Sequence, residues 1–495
     1  MHNKYLWVLI CVIGGLALFV ELFLLSSTID YFPLHPTVGD LGNHIAKLYF
    51  LDTFGFHKYN PLWYHGITTF RFYPPGWSYF TIPLYWMTNN LLLATYLGLI
   101  MAFIVGFFGV LFLGRIAGLS WIKTLSLYLL IFSSYHLINF VLGLGRYPEL
   151  LSWMLFIFLF GIVWYYKDRK VTWGFFWSIP VFSLMLLTHS YPVVVSCLLY
   201  LSLLLTREEI KEYVIIIISF LVPFFITFFW WKGLFFLLNQ QNGHLYGAGQ
   251  ELIDPRTVIS SNTIIIIGFC VAMFLYLRTF SDNKEKYFSA PFILTAFLLL
   301  SRNIAMIPVF NQLPVNSYNI FFLILTVFYF IKVSQKKYKT IIPIILLLGI
   351  ISSSLYSFYF ITPELSYTDL DKQFIELIPN SNGRVWIDNE TQDAYHDKLN
   401  AFAASMYNKT VSSGHDTDTP SQNVVMINNI KYKYLEALQK SRDDLRNRDC
   451  ELFTEDIHAL EADEIITYDE PCKFLVDCGF TIKERTKDLC LMVIK

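Results

Sequence analysis

The chain has 495 residues, of which 55% are hydrophobic and only 15% charged, with a mean hydropathy of +0.48. Soluble globular chains carry about 25% charged residues, so this composition excludes an ordinary soluble enzyme, a disordered chain and a nucleic-acid binder. It indicates a polytopic membrane protein. The formal net charge of −1 hides an asymmetry: residues 362–495 hold 15 Lys+Arg against 25 Asp+Glu, and residues 1–361 hold 22 against 13. An acidic tail follows a cationic membrane part.

A membrane-crossing helix needs about 20 mostly apolar residues. Apolar runs lie near 5–27, 91–113, 121–141, 149–166, 173–188, 191–205, 213–231, 262–279, 288–301, 318–333 and 340–361. They predict about eleven spans, the two runs between Trp173 and Thr206 also reading as one kinked helix or a re-entrant pair. The first run is longer than the apolar region of a signal peptide and lacks a small-residue cleavage pattern, so it is expected to remain as a span. Short basic connections lie on the cytoplasmic side of a membrane. With the N-terminus inside, the inner connections and Lys4 carry 15 Lys+Arg and the longer outer loops carry 7. That sets the N-terminus inside, and an odd number of spans places the tail outside.

The first outer loop, 28–90, is too long for a plain connector. Within it, 39–54 reads as a short surface helix. Asp40 and His44 are four apart and share a helix face, and Pro74 and Pro75 are expected to hold the chain that follows them extended. Asp40 reads either as a helix N-cap or as a reactive carboxylate. A second, short outer loop carries Arg146 and Glu149 just where a span begins. Glu149 suits the positive end of a helix and is also a functional candidate, because ionisable groups at membrane depth are costly. His189 sits between two apolar runs, as a buried structural histidine or a ligand contact. The third outer loop, 232–262, is rich in glycine and amides, as a substrate-covering loop would be.

Taken in order, GDLGNH (Gly39 to His44), Trp63, Gly66, FRFYPP (Phe70 to Pro75), GRYPE (Gly145 to Glu149), LTHSYP (Leu187 to Pro192) and NQLP (Asn311 to Pro314) form a set. It resembles the GT-C superfamily of membrane glycosyltransferases. More closely, it resembles the multi-spanning proteins labelled 6-pyruvoyl-tetrahydropterin-synthase-related. Two departures stand out: no arginine follows NQLP, and the first two outer loops hold no Asp-x-Asp pair. The resemblance implies an α-helical polytopic GT-C-like membrane domain, residues 1–361, and the tail is expected to be a soluble extracytoplasmic α+β domain, residues 362–495. It also implies sugar transfer at the outer face, from a polyprenyl-phosphate donor to a glycan, lipid or protein acceptor, among membrane lipids and without nucleic acid. Such chemistry needs a base near the acceptor hydroxyl and cations on the leaving phosphate. Asp40 is the first candidate base, with Glu149 as the second catalytic carboxylate. Arg71, Arg146 and Arg302 suit phosphate through their planar donors, and His44, Tyr73 and His189 complete the substrate-binding set. A divalent cation, manganese or magnesium, on Asp40, His44 and Glu149 is a further expectation, although hard cations prefer more oxygen ligands. The alternatives are a lipid-linked-sugar transporter or flippase, and a non-catalytic membrane assembly factor.

In the tail, 383–388 and 462–468 read as strands, 393–407 and 431–446 as helices, and the last sixteen residues as a hairpin turning at 486–488. Its four cysteines at 450, 472, 478 and 490 permit disulfides in three pairings. Sequons at Asn389 and Asn408 are potential glycan acceptors. With a cysteine introduced as the reporter, an impermeant thiol reagent applied to intact cells should label a site near Asn408 and spare one near Lys337. Labelling at Lys337 alone would reverse the orientation.

Overall fold

The computed structural model describes residues 2–34, 39–64, 66–71, 73–138, 143–232, 261–307, 310, 315–360, 367–388, 393–413 and 424–494. Most of the third outer loop and the NQLP segment lie outside these residues. The chain divides into two compact units. One comprises Met1–Leu25, Leu99–Phe229 and Asn242–Thr362, and the other Ser26–Gly98, Trp230–Gln241 and Pro363–Lys495.

The first unit is helical. Among the described residues, four helices are long and apolar enough to cross a membrane, at Lys4–Ile29, Leu91–Ile116, Tyr147–Lys167 and Asn316–Lys336, and five shorter apolar helices accompany them. Burial ranks them. Tyr147–Lys167 and Asn316–Lys336 are each 83% buried over their most apolar stretch, against 28% for Lys4–Ile29. The former pair forms the centre and the first helix the periphery. Lipid supplies no hydrophobic drive for helix association, so close packing through small residues must hold such a bundle. At Gly106 an added Cβ would lie 2.3 Å from Met154 Sδ, and at Gly161 one would lie 2.7 Å from the Phe112 ring. The two glycines let helices Leu91–Ile116 and Tyr147–Lys167 approach face to face.

One end of this unit is pinned by buried charge. Arg207 donates to the carbonyls of Tyr166 (2.9 Å), Lys167 (2.8 Å) and Arg169 (2.7 Å). It thereby satisfies orphan acceptors at the C-terminus of the central helix, where a cation also complements the helix dipole. Lys167 pairs with Glu285, whose other oxygen accepts from Tyr276 Oη at 2.7 Å. The two runs between Trp173 and Thr206 form helices Ser178–Thr188 and Ser190–Leu204, broken at His189, whose backbone is extended.

The second unit joins the first long loop to the tail. The loop carries helix Leu41–Thr53 and a two-stranded ribbon, β1 (Tyr59–Asn60) and β2 (Ile67–Thr68). At Gly66, between these strands, φ is +97° and a Cβ would collide with the Tyr59 ring. Pro75 stands at the N-cap of a further helix, Gly76–Thr88. The chain after the two prolines is therefore helical and not extended as expected, since proline fits the start of a helix.

The tail strands are β3 (Arg384–Ile387), β4 (Thr410–Val411), β5 (Val424–Ile427), β6 (Ile430–Lys433), β7 (Glu464–Tyr468), β8 (Thr481–Arg485) and β9 (Leu489–Val493). Five of them form a sheet in the order β4-β3-β7-β9-β8, with β3 parallel to both β4 and β7. The helix expected over 431–446 begins only at Tyr434, because Ile430–Lys433 pairs antiparallel with β5. The cysteines pair as Cys450–Cys478 and Cys472–Cys490. Asn408 is exposed, and Asn389 lies outside the described residues.

Loop and tail share a core. Helix Leu41–Thr53 packs on helix Asp393–Tyr407, and Phe32 meets Phe402 edge-on at 5.2 Å. The Val411 N–H donates to Leu62 O at 2.8 Å, and Trp63 bridges Val411 as a parallel neighbour, extending the edge of the five-stranded sheet. Trp63 is fully buried, with Phe50 edge-on at 4.8 Å.

Candidate functional site

In the second unit, a helix face gathers the loop's candidates. Asp40 stands at the N-cap of Leu41–Thr53 but makes no side-chain capping hydrogen bond. It remains partly exposed. His44 and Lys47 follow at i+4 and i+7, on the same face, and both are buried. Tyr73 lies against them. The Lys47 ammonium sits 3.6 Å from the centre of the Tyr73 ring, a cation–π contact, and the His44 ring centroid is 5.5 Å from it. Tyr73 is itself held from behind, its carbonyl accepting from Trp230 Nε1 at 3.1 Å.

Arg71, two residues away, is half-buried. It contributes to a cationic field felt at His57. Burial first, then the charges of Lys232 and Arg71, hold the His57 imidazole below its ordinary pKa against the opposing effect of its hydrogen bond to the Phe70 backbone. Asp52 is committed elsewhere, accepting from Trp86 Nε1 at 2.8 Å, which weakens it as an alternative base.

The membrane unit holds the other candidates. Glu149 opens the central helix and is fully buried. Its Oε1 accepts from Ser317 Oγ at 2.6 Å and from Trp153 Nε1 at 3.3 Å. Its Oε2 faces Arg146 at 3.7 Å and His189 Nδ1 at 3.9 Å. His189 Nδ1 also accepts the Tyr191 N–H, at 3.4 Å, capping the helix that follows. In a neutral imidazole an accepting Nδ1 leaves the proton on Nε2, so His189 pairs ionically with Glu149 only as the imidazolium. Arg302 is not among these groups in the described contacts. It is exposed in a left-handed turn at φ +63°.

The same unit encloses a cavity of about 640 Å³. Its wall is mostly aliphatic, from Leu130, Ile264, Leu323, Leu346 and Ile350. Its polar lining gathers round Tyr135, whose N–H donates to Ser353 Oγ at 2.5 Å and whose ring meets Tyr356 edge-on at 4.5 Å. Among the described residues, no three His, Cys, Asp or Glu side chains come together as a metal-ligand set.

The structure therefore groups Asp40, His44 and Tyr73 in one unit, with Arg71 two residues from Tyr73, and Glu149, Arg146 and His189 in the other. Sequence reasoning missed Lys47, which the i+7 spacing from Asp40 would have found. It also missed Ser317 and Trp153, which carry no charge to draw attention.

No protein-family model and no curated protein matches the chain. Solved structures do. The arabinofuranosyltransferase AftD from mycobacteria is similar over 97% of this chain and 40% of its own, at 10% identity and a TM-score of 0.62. The oligosaccharyltransferase AglB from Archaeoglobus fulgidus, solved with an inhibitory peptide and a dolichol-phosphate, is similar over 93% of this chain and 70% of its own, at 9% identity and a TM-score of 0.53. The same oligosaccharyltransferase solved with zinc and sulfate has a TM-score of 0.53 at 9% identity, over 91% and 68%. The chain spans about two fifths of the length of AftD.

Removing the Glu149 carboxyl should strand two buried donors. Glu149→Ala is expected to destabilise the protein by about 3 kcal/mol. Glu149→Gln should cost clearly less, since its amide oxygen still accepts from Ser317 and Trp153. Thermal unfolding in detergent checks this, and equal losses in the two variants would contradict the assignment. At this level of likeness the comparisons identify an architecture alone: the chain shares its fold with the AftD and AglB structures.

Proposed function

We propose that this protein transfers a sugar from a polyprenyl-phosphate donor to a glycan, lipid or protein acceptor at the extracytoplasmic face. The observation that carries the reading is Asp40. It is the carboxylate that heads the helix face bearing His44 and Lys47, with the Tyr73 ring against both. In the proposed step Asp40 takes the proton of the acceptor hydroxyl. The oxygen attacks the anomeric carbon, and the bond from that carbon to the phosphate oxygen breaks. Polyprenyl phosphate leaves with the electron pair, its negative charge held by Arg71 and Lys47.

Arg146 and His189, oriented by Glu149, are the second group assigned to substrate, and Arg302 stays a candidate for the acceptor side. The shorter apolar helices complete about eleven spans in this reading. The basic asymmetry supports an inside N-terminus. The two tail disulfides favour an outside tail, because disulfides persist in oxidising compartments.

Asparagine caps a helix about as well as aspartate but cannot take a proton. Purified Asp40→Asn protein should keep its melting temperature and its affinity for a polyprenyl-phosphate sugar, and lose transfer by at least about a hundredfold. Transfer at near wild-type rate would remove Asp40 as the base and direct attention to Glu149.

A further inference from the structure

The second unit contains a hollow of about 600 Å³, at the amino ends of three neighbouring parallel strands, β3, β4 and β7. Crevices in open α/β sheets usually bind ligands at the carboxyl ends, so this one owes nothing to that rule. It is built by the residues that lead into the strands. Arg384 opens β3, Asn408 and Lys409 precede β4, and Glu461 and Asp463 precede β7.

Its charges cancel, two cations against two anions, and each is fixed. Arg384 pairs with Glu461 Oε2 at 2.9 Å. Asp463 Oδ2 accepts the Arg384 backbone N–H at 2.8 Å. Lys409 donates to the carbonyls of Pro379 at 2.9 Å and Ser381 at 2.5 Å, which leaves one of the three ammonium donors. Gly383 admits this arrangement, since a Cβ there would stand 2.5 Å from Asp463 Oδ2. Tyr49 places an aromatic ring at the edge, its hydroxyl donating to Asn408 Oδ1 at 3.1 Å.

A wall without large apolar side chains disfavours a lipid, and a balanced charge gives a phosphate no net attraction. What remains favoured is an uncharged ligand dense in groups that both donate and accept. Sugar hydroxyls do both, and carboxylate, ammonium, guanidinium and amide groups held in place offer them complementary partners without reorganising. We propose that this hollow binds a neutral oligosaccharide. The inference goes beyond the transfer reaction and stands or falls without it, because its test reads binding alone.

The experiment uses the full chain in lipid nanodiscs and saturation-transfer NMR. The probes are neutral trisaccharides of glucose, galactose, mannose and arabinose at millimolar concentration, with inorganic phosphate as competitor. At least one trisaccharide should show transfer, undiminished by phosphate. Asp463→Asn, which keeps the shape and the acceptor for the Arg384 N–H, should weaken binding about fivefold, the effect of one hydrogen bond. Lys409→Met should do the same, each variant keeping the wild-type melting temperature. No transfer to any of the four sugars, unchanged binding in a folded Asp463→Asn protein, or displacement of the sugar by phosphate would overturn the proposal.

Discussion

A helix of 13 residues such as Leu41–Thr53 is marginal on its own in water, and the proposed chemistry depends on its being rigid. Its order comes from a sequence-distant partner. It lies on helix Asp393–Tyr407 of the tail, while Phe50 closes on Trp63, and the segment holding Trp63 extends the tail's sheet. Asp40, His44 and Lys47 keep a common direction because nearly the whole helix is buried. The tail is thus a structural condition for the site, even where none of its residues touches substrate.

The membrane unit meets a different constraint. Buried charges there must be paired or hydrogen-bonded, since no water is at hand to solvate them. Arg207 meets it by closing three carbonyls at one end. Glu149 meets it through one oxygen on two donors and the other facing the Arg146 guanidinium and the His189 ring. The first arrangement commits its cation to backbone carbonyls, the Thr206 hydroxyl and Glu212, as a clamp would. The second keeps the Arg146 guanidinium partly exposed at the head of the central helix.

Much of this was legible in the sequence, for stated reasons. Composition and apolar runs identify a membrane protein, because crossing lipid demands long apolar stretches. The spacing of Asp40 and His44 places them on one helix face, and Arg146 and Glu149 fall at a helix start as read. What escaped depends on contacts between distant residues. Nothing local in 28–90 says that it shares a core with 363–495. Ser317 lies just past a segment searched for an arginine, and a serine there means nothing until Glu149 is seen beside it. The strand Ile430–Lys433 hides because its alternation of apolar residues and lysines runs straight into an amphipathic helix. Helix Gly76–Thr88 hides behind two prolines that look like a break.

The account turns on where the donor's phosphate rests. A structure of the full chain in nanodiscs with a polyprenyl phosphate bound would decide it. The phosphate should lie within hydrogen-bond reach, about 3 Å, of Arg71 or Lys47, with the Asp40 carboxylate left accessible beside it. A phosphate bound elsewhere, with the Asp40, His44 and Lys47 face untouched, would contradict it.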